Sequence, residues 1–323
     1  MMQRRRPAYQ VIDGIPRCVA ADPDSLRKAL KFRAGAGDVV QSTYPKSGTN
    51  WVQYITQLIL QDGETVPSFE EYSSNYRPLE YLNFEDWKSP LPLRTFLTHL
   101  PLSSYEITEQ GKYIYVARNP WDVCVSLFHM VTNLSHYKFQ DATFGQFVDA
   151  FLAGDFGYGD YFEHVASGFA LRNEPNVFFV TYEQLKMDTR GMVLRLANFL
   201  GEPYRKALEE DEGLLEKLLE RSTPDYMRSV VVFDLAGNSK TEFDKMLSRW
   251  RTTCKEGYEG DENKYALVRK AKVGGWKEYF TPELLRQMEV KIRQAEKTYS
   301  FMELWADIRE EAIQASQSDT AGP

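Results

Sequence analysis

The segment Tyr44-Pro45-Lys46-Ser47-Gly48-Thr49-Asn50-Trp51 constrains this chain more than any other. The apolar pair Val39-Val40 leads into it. Trp51, Tyr54, Ile55, Leu58 and Ile59 follow at i, i+3, i+4, i+7 and i+8, one apolar face of a helix. Strand, tight glycine-containing turn and helix N-terminus together make a phosphate cradle, because free backbone N–H groups and the positive end of the helix dipole converge there. Lys46 adds a full positive charge at the mouth, and Trp51 sets a flat ring one step into the helix. The common nucleotide loop G-x-x-x-x-G-K-[ST] carries its lysine after the second glycine; here the lysine comes two residues before Gly48. A nucleotide or nucleoside kinase would also want a Mg²⁺ carboxylate, and none stands in the right setting.

Composition narrows the class. At 323 residues, 43% hydrophobic and 26% charged, the chain suits a globular intracellular enzyme. A net charge of −7, with no basic domain beyond Arg4-Arg5-Arg6, argues against a nucleic-acid binder. Cys18, Cys124 and Cys254 form no C-x-x-C and the four histidines are scattered, so no metal site is expected and a reducing compartment is. No secretory segment opens the chain, and no apolar run reaches the ~18–20 residues of a membrane span. A cytoplasmic protein without a membrane partner is therefore expected.

Strands are predicted at Val39–Thr43, Thr95–Thr98, Tyr113–Ala117 and Val177–Thr181, with helices at Thr49–Gln61, Pro120–Thr132 and Arg190–Leu200. This alternation implies an α/β fold: one domain, a central parallel sheet flanked by helices, and ligands at the carboxyl ends of the strands. Residues 202–220 read as a surface helix and 228–265 as long loops near the site. The domain is expected over 9–314, between a flexible N-terminus, 1–8, and a disordered tail, 315–323.

Two further anion sites are legible. Arg118 ends a strand and Pro120 suits the first turn of the following helix. Ser126 lies about two turns along, so an arginine fork and a hydroxyl could hold a phosphate monoester. The alternative is an Arg118–Asp122 salt bridge. Near the end, Arg269-Lys270-Ala271-Lys272-Val273-Gly274-Gly275-Trp276-Lys277 is a basic, glycine-containing turn. For proton abstraction the candidate is His99, at a strand end, since histidine titrates near neutrality.

Together these segments resemble the cytosolic sulfotransferases over about residues 9–300. The first loop is similar to that family's phosphosulfate-binding loop, usually TYPKSGTTW; Thr43 supplies the leading threonine and Asn50 departs. The resemblance implies a P-loop-like enzyme that takes 3′-phosphoadenosine 5′-phosphosulfate (PAPS) as donor and releases 3′-phosphoadenosine 5′-phosphate (PAP), without a metal. It implies donor contacts from Lys46, Ser47, Gly48, Thr49, Asn50 and Trp51. Arg118 and Ser126 would hold the 3′-phosphate with Arg269, Lys270 and Ala271. Tyr182, in Thr-Tyr-Glu-Gln-Leu, would lie beside the adenine, and Ser222 and Met227 belong to a family adenine segment. The 269–277 turn is similar to the family's RKGxxGDWK, with Ala271 for its first glycine and Gly275 for the aspartate. Pro224 stands where relatives carry an adenine-stacking phenylalanine. Thr98-His99-Leu100-Pro101 is similar to KTHLP, in which the histidine is the general base; Leu97 replaces the lysine, as in hydroxysteroid-type relatives.

The implied chemistry is sulfuryl transfer to the hydroxyl or amine of a small acceptor, with His99 as base and Lys46 stabilising the leaving phosphate. Ser126 would hold Lys46 away from that phosphate until an acceptor arrives. Pocket candidates are Tyr81, Phe84, Trp87, His99, Phe128, His129, Met130 and Phe243, aromatic enough to favour a phenol, steroid or alcohol. His136 and His164 read as surface or structural. The family's dimer signature K-x-x-x-T-V-x-x-x-E is half present, in Lys277 and Thr281 but not Pro282 or Arg286, so a monomer or a differently arranged homodimer is expected. The rival readings are a non-catalytic PAPS- or PAP-binding relative and, further off, the kinase.

Overall fold

A computed structural model describes residues 5–64, 66–236, 242–258 and 263–317. Its strands are β1 (Tyr9–Ile12), β2 (Ile15–Cys18), β3 (Asp38–Thr43), β4 (Arg77–Pro78), β5 (Arg94–Thr98), β6 (Lys112–Ala117), β7 (Val177–Thr181), β8 (Val232–Asp234) and β9 (Lys264–Ala266). The helices are α1 (Pro23–Ala29), α2 (Thr49–Leu60), α3 (Phe69–Ser74), α4 (Pro120–Asn133), α5 (Phe144–Ala153), α6 (Tyr161–Ala170) and α7 (Tyr182–Met187). They continue as α8 (Thr189–Leu200), α9 (Glu202–Glu210), α10 (Glu212–Arg221), α11 (Pro224–Val230), α12 (Glu242–Arg249), α13 (Pro282–Ala295) and α14 (Ala306–Gln317).

Five strands form a parallel sheet in the order β4-β5-β3-β6-β7. All six residues of β3 are buried, as an inner strand covered on both faces by helices requires. The registers pair Ser42 with Thr98, Thr43 with Val116, Ala117 with Thr181 and Pro78 with Leu97, so the five carboxyl ends lie side by side. Each then hands the chain to a residue important below: Glu80 after β4, His99 after β5, the Tyr44–Gly48 loop after β3, Arg118 after β6 and Tyr182 after β7.

Local chemistry fixes the helix starts. Asn119 caps α4 by accepting from Asp122 N at 2.8 Å, with Pro120 in the first turn. Thr181 and Gln184 make a reciprocal capping box at α7. Between α4 and the 269–277 turn, the buried Asp122 carboxylate accepts from Gly274 N at 2.9 Å and Trp276 N at 3.0 Å, and Trp121 packs beside Trp276. Hydrogen bonds to a charged group are worth ~1.5–3 kcal/mol each. They hold a turn 150 residues away in sequence against the end of β6.

The 202–220 stretch folds as two helices, α9 and α10. The described residues of 228–265, expected as loops, include an antiparallel β8–β9 ladder and α12. At the N-terminus, Arg5 pairs with Asp141, Arg6 with Asp155, and Ala8 N donates to Tyr137 O at 2.7 Å. Helix α14 runs past the expected boundary at 314. No helix among the described residues is long and apolar enough to cross a membrane.

Candidate active site

The loop after β3 is shaped for an anion. Gly48 caps α2 at φ 112°, with no side chain capping the helix. A Cβ there would come within 2.9 Å of the Tyr182 ring, so glycine is required twice over. Lys46 also sits in the left-handed region, at φ 70°, a strained conformation for a residue with a side chain. The first intrahelical bonds run from Trp51 N and Val52 N to Gly48 O at 3.0 and 3.1 Å. The amides ahead of them point out of the helix end. Ser47 Oγ is buried without a partner. Behind the loop, Thr43 Oγ1 meets Thr49 Oγ1 at 2.7 Å and Gln41 donates to Thr49 O at 2.8 Å.

Three cations converge on this loop. Arg118 donates to Lys46 O at 3.4 Å and Lys272 O at 2.8 Å, and its guanidinium lies 4.2 Å from the Tyr182 ring centroid. Asp122 is 3.7 Å from Arg118, so the i,i+4 ion pair exists beside these contacts rather than instead of them. The Nε atoms of Arg118 and Arg269 are buried without partners. Burial, with the charges of Arg269 and Arg118, pulls the Lys46 ammonium down to about 8. A phosphate would supply what this cluster lacks: a compensating negative charge and acceptors for the orphaned Ser47, Arg118 and Arg269 donors.

Lys46 Nζ donates to Leu267 O at 3.3 Å. The hydrogen bond Lys46 makes here is thus to the loop leaving β9 and not the one to Ser126 that the resemblance implies. Ala271 adopts φ 48°. The turn keeps the left-handed geometry that a glycine would take freely, and alanine pays roughly 1 kcal/mol for it.

His99 is clamped at three points. Its N–H donates to Glu80 Oε1 at 2.6 Å, its carbonyl accepts from His164 Nε2 at 3.1 Å, and Nδ1 lies 2.8 Å from Thr43 O. A carbonyl only accepts, so Nδ1 carries the proton and Nε2 keeps its lone pair. Burial lowers the imidazole to about 4; Thr43 O opposes this and the Lys46 charge adds to it. His164, expected at the surface or in a structural role, is buried: it holds the His99 carbonyl while its Nδ1 meets the Tyr115 hydroxyl at 2.7 Å.

One cavity joins the two halves. Lys46, Gly48, Thr49, Asn50 and Trp51 line it with Arg118, Ser126 and Tyr182. Met227, Arg269, Lys270 and Ala271 line it as well, as do Pro224, His99, Tyr81 and Met130. Trp51 stands edge-on to Tyr182, their centroids 5.2 Å apart. Five expected residues lie elsewhere. Ser222 turns back to donate to Leu219 O at 3.0 Å at the end of α10. Phe84 packs on Phe32 and Phe96. Phe128 packs on Phe144 and Phe147. His129 meets the Tyr279 hydroxyl at 2.8 Å, one helical step from the face that carries Ser126 and Met130. Trp87, too, packs against Phe96. The Phe243 side chain lies outside the described residues.

Sequence reasoning missed several lining residues: Cys18, Tyr76, Tyr137, Tyr158, Phe233 and Met246. His136, expected to be a surface or structural residue, lines the cavity too, its ring tilted against Tyr137 and 3.0 Å from Thr252 Oγ1. These come from β2, β8, α12 and connecting segments, where no periodicity marks a pocket-facing side chain.

The sulfotransferase domain family model matches residues 36–301. The chain belongs to the sulfotransferase family. It is 31% identical to a guinea-pig (Cavia porcellus) 3-alpha-hydroxysteroid sulfotransferase over 271 residues, covering 81% of this chain and 85% of that one. Identity to the 3-beta-hydroxysteroid sulfotransferase of the same species is 32% over 272 residues, with the same coverage. Among solved structures, retinol dehydratase in complex with androsterone and PAP superposes with a TM-score of 0.65 at 24% identity, covering 87% of this chain and 88% of that one. A mouse sulfotransferase complexed with PAP gives 0.64 at 22%, covering 96% and 100%; both share the fold. As a member of this family the chain is a PAPS-dependent sulfotransferase.

Proposed function

We propose that this sulfotransferase transfers the sulfuryl group of PAPS to the hydroxyl of a small, largely apolar acceptor of the phenol, steroid or alcohol class, with His99 as general base. The observation that carries this reading is the single cavity lined both by His99, whose Nδ1 proton is held by Thr43 O, and by the Lys46–Arg118–Arg269 cluster. Tyr76, Pro78, Leu97, Met130 and Phe233 make the His99 side predominantly apolar. The hydroxysteroid names of the guinea-pig relatives agree with an acceptor of that kind.

The residues divide the work. When bound, the donor supplies a sulfuryl group joined to a phosphate leaving group. The loop amides, Ser47 and Lys46 would hold its 5′ end; Arg118, Ser126, Arg269 and Lys270 its 3′-phosphate; Trp51, Tyr182, Pro224 and Met227 its base. His99 Nε2 takes the acceptor's proton as the new O–S bond forms and the S–O bond to phosphate breaks. The Thr43 carbonyl holds the opposite edge of the ring throughout. Lys46 stabilises the charge that develops on the departing oxygen. The three buried free cysteines fit a reducing, cytoplasmic setting as part of the same proposal.

A transfer assay with radiolabelled donor across phenols, steroids, alcohols and amines tests this. Label should appear in neutral hydroxylated acceptors. A folded protein that binds PAP yet labels none of them would be a non-catalytic relative. Equal thermal stabilisation by ATP–Mg²⁺ and by PAP would point to the kinase.

A further inference from the structure

Behind His99 lies a second cavity, lined by Arg17, Glu80, Tyr158, Asp160, Glu163 and His164. Glu80 is the buried acid of the group, 4% exposed. It follows β4, whose pairing with β5 is extended by Leu79 N donating to Leu97 O at 2.9 Å, so its position is fixed by the sheet edge. Oε1 takes the His99 amide at 2.6 Å, while Oε2 is buried with no hydrogen-bond partner. Arg17, on β2, has its Nε buried and unpartnered beside the same cavity, and its charge acts on Glu80. A buried acid with an unused oxygen is a costly way to tether one backbone amide, since a neutral amide side chain would accept the same bond.

We propose that Glu80 is a positioning residue for the transfer reaction: its carboxylate, held on the His99 amide and charge-balanced by Arg17, stabilises the imidazolium that forms when His99 takes the acceptor's proton. His99 thus stands between Lys46, which disfavours its protonation, and Glu80, which favours it. The inference rests on the function proposed above. Burial raises the Glu80 carboxyl to about 7, against the pull of the His99 amide, of its own amide, of the Thr98 hydroxyl and, least, of the Arg17 charge, so its charge would switch on across neutral pH. The groups facing it are His99, Arg17 and Thr98, with the buried hydroxyls of Tyr81 and Tyr105 nearby and Asp160, Glu163 and His164 across the cavity.

Glu80→Gln keeps an oxygen for the His99 amide and loses the charge. Expected are a kcat at pH 8 lower by roughly tenfold, the size of a one-unit change in base strength, and loss of an upward kcat limb near pH 7 that the parent shows. PAP affinity by calorimetry should not change. In the PAP complex, where the ligand's negative charge raises His99, ¹⁵N NMR should find the ring's titration about one unit lower in Glu80→Gln. Parent-like kcat, pH profile and His99 titration would overturn the proposal and leave Glu80 as a backbone strut. Should Glu80→Gln not fold, Arg17→Gln decides: its kcat limb should move to higher pH, and an unmoved limb overturns the proposal. A parent that labels no acceptor would break the proposed function instead, and the NMR shift alone would then decide for or against Glu80.

Discussion

At one end of the cavity Lys46, Gly48 and Trp51 come from a single unbroken stretch, with Arg118 and Tyr182 each one residue past a strand of the same sheet. At the other end Cys18, Tyr81, Met130, His136, Tyr158 and Phe233 come from six separate stretches, most outside the sheet. The donor end is held by backbone geometry: a left-handed lysine, a glycine with no room for a Cβ, and a carboxylate that pins the 269–277 turn to α4. The acceptor end is held by side-chain packing, with Tyr158 meeting Tyr137 and Cys18 through its hydroxyl at 2.9 and 3.1 Å. Parallel-strand ends dictate the first arrangement, whereas loops that tolerate substitution build the second. On the proposed function, the difference teaches which end can diverge: donor recognition would be tied to the fold and acceptor choice free of it. His99 stands at the junction, on a strand end and lining the cavity.

The sharpest way to break this division is His99→Ala. Turnover should fall by ~10²–10⁴, the range for loss of a general base, while PAP affinity by calorimetry stays at the parent's. A parallel loss of PAP binding would place His99 at the donor end after all. Next in size is Lys46→Ala, expected to lower turnover by ~10²–10³. The same lysine carries a pH signature. Its ammonium lies at about 8 in the free protein, and a bound anion favours the charged form, so its pKa rises on binding. PAP binding at pH 8 should therefore take up about half a proton, seen by calorimetry in buffers of different ionisation enthalpy, and none at pH 6, where Lys46 is already charged. Constant heats across buffers at pH 8 would remove Lys46 from the anion site.

A smaller effect is expected from Trp51→Ala. Loss of a base–aromatic stack costs ~1–3 kcal/mol in nucleic-acid binders, and PAP should weaken by that much while acceptor KM holds. Unchanged PAP binding would make the ring core packing. Smallest is Ala271→Gly. It relieves a left-handed alanine but frees the unfolded chain, so chemical denaturation should show a gain of under ~1 kcal/mol. A loss would mean that the alanine methyl packs on something the φ angle does not reveal.

The same division decided what could be read without coordinates. The predicted strands match β3, β5, β6 and β7 to within a residue, because each is a short β-branched or aromatic run between turn signals. The segments proposed to bind the donor stood out because glycine, proline and arginine must stand at set offsets from a strand end. Phe84, Phe128 and His129 were misplaced at the acceptor end for the opposite reason. An aromatic residue carries no local mark of which neighbour it faces, and on α4 one residue of phase separates His129, on Tyr279, from Met130, in the cavity. Residues 228–265 read as loops because β8 and β9 are three residues each and pair across a long interval.

By itself, then, the sequence determined a parallel α/β sheet, a strand–turn–helix loop built around Gly48 after its first long strand, a histidine at a neighbouring strand end and the family to which these belong. All are consequences of local backbone requirements that act over a few residues. Only the tertiary structure decided that Lys46 Nζ donates to Leu267 O, that Asp122 clamps a turn from the far end of the chain, and that a buried glutamate holds the His99 amide. Those contacts join residues 19 to 221 positions apart, and no local propensity specifies a partner at that range.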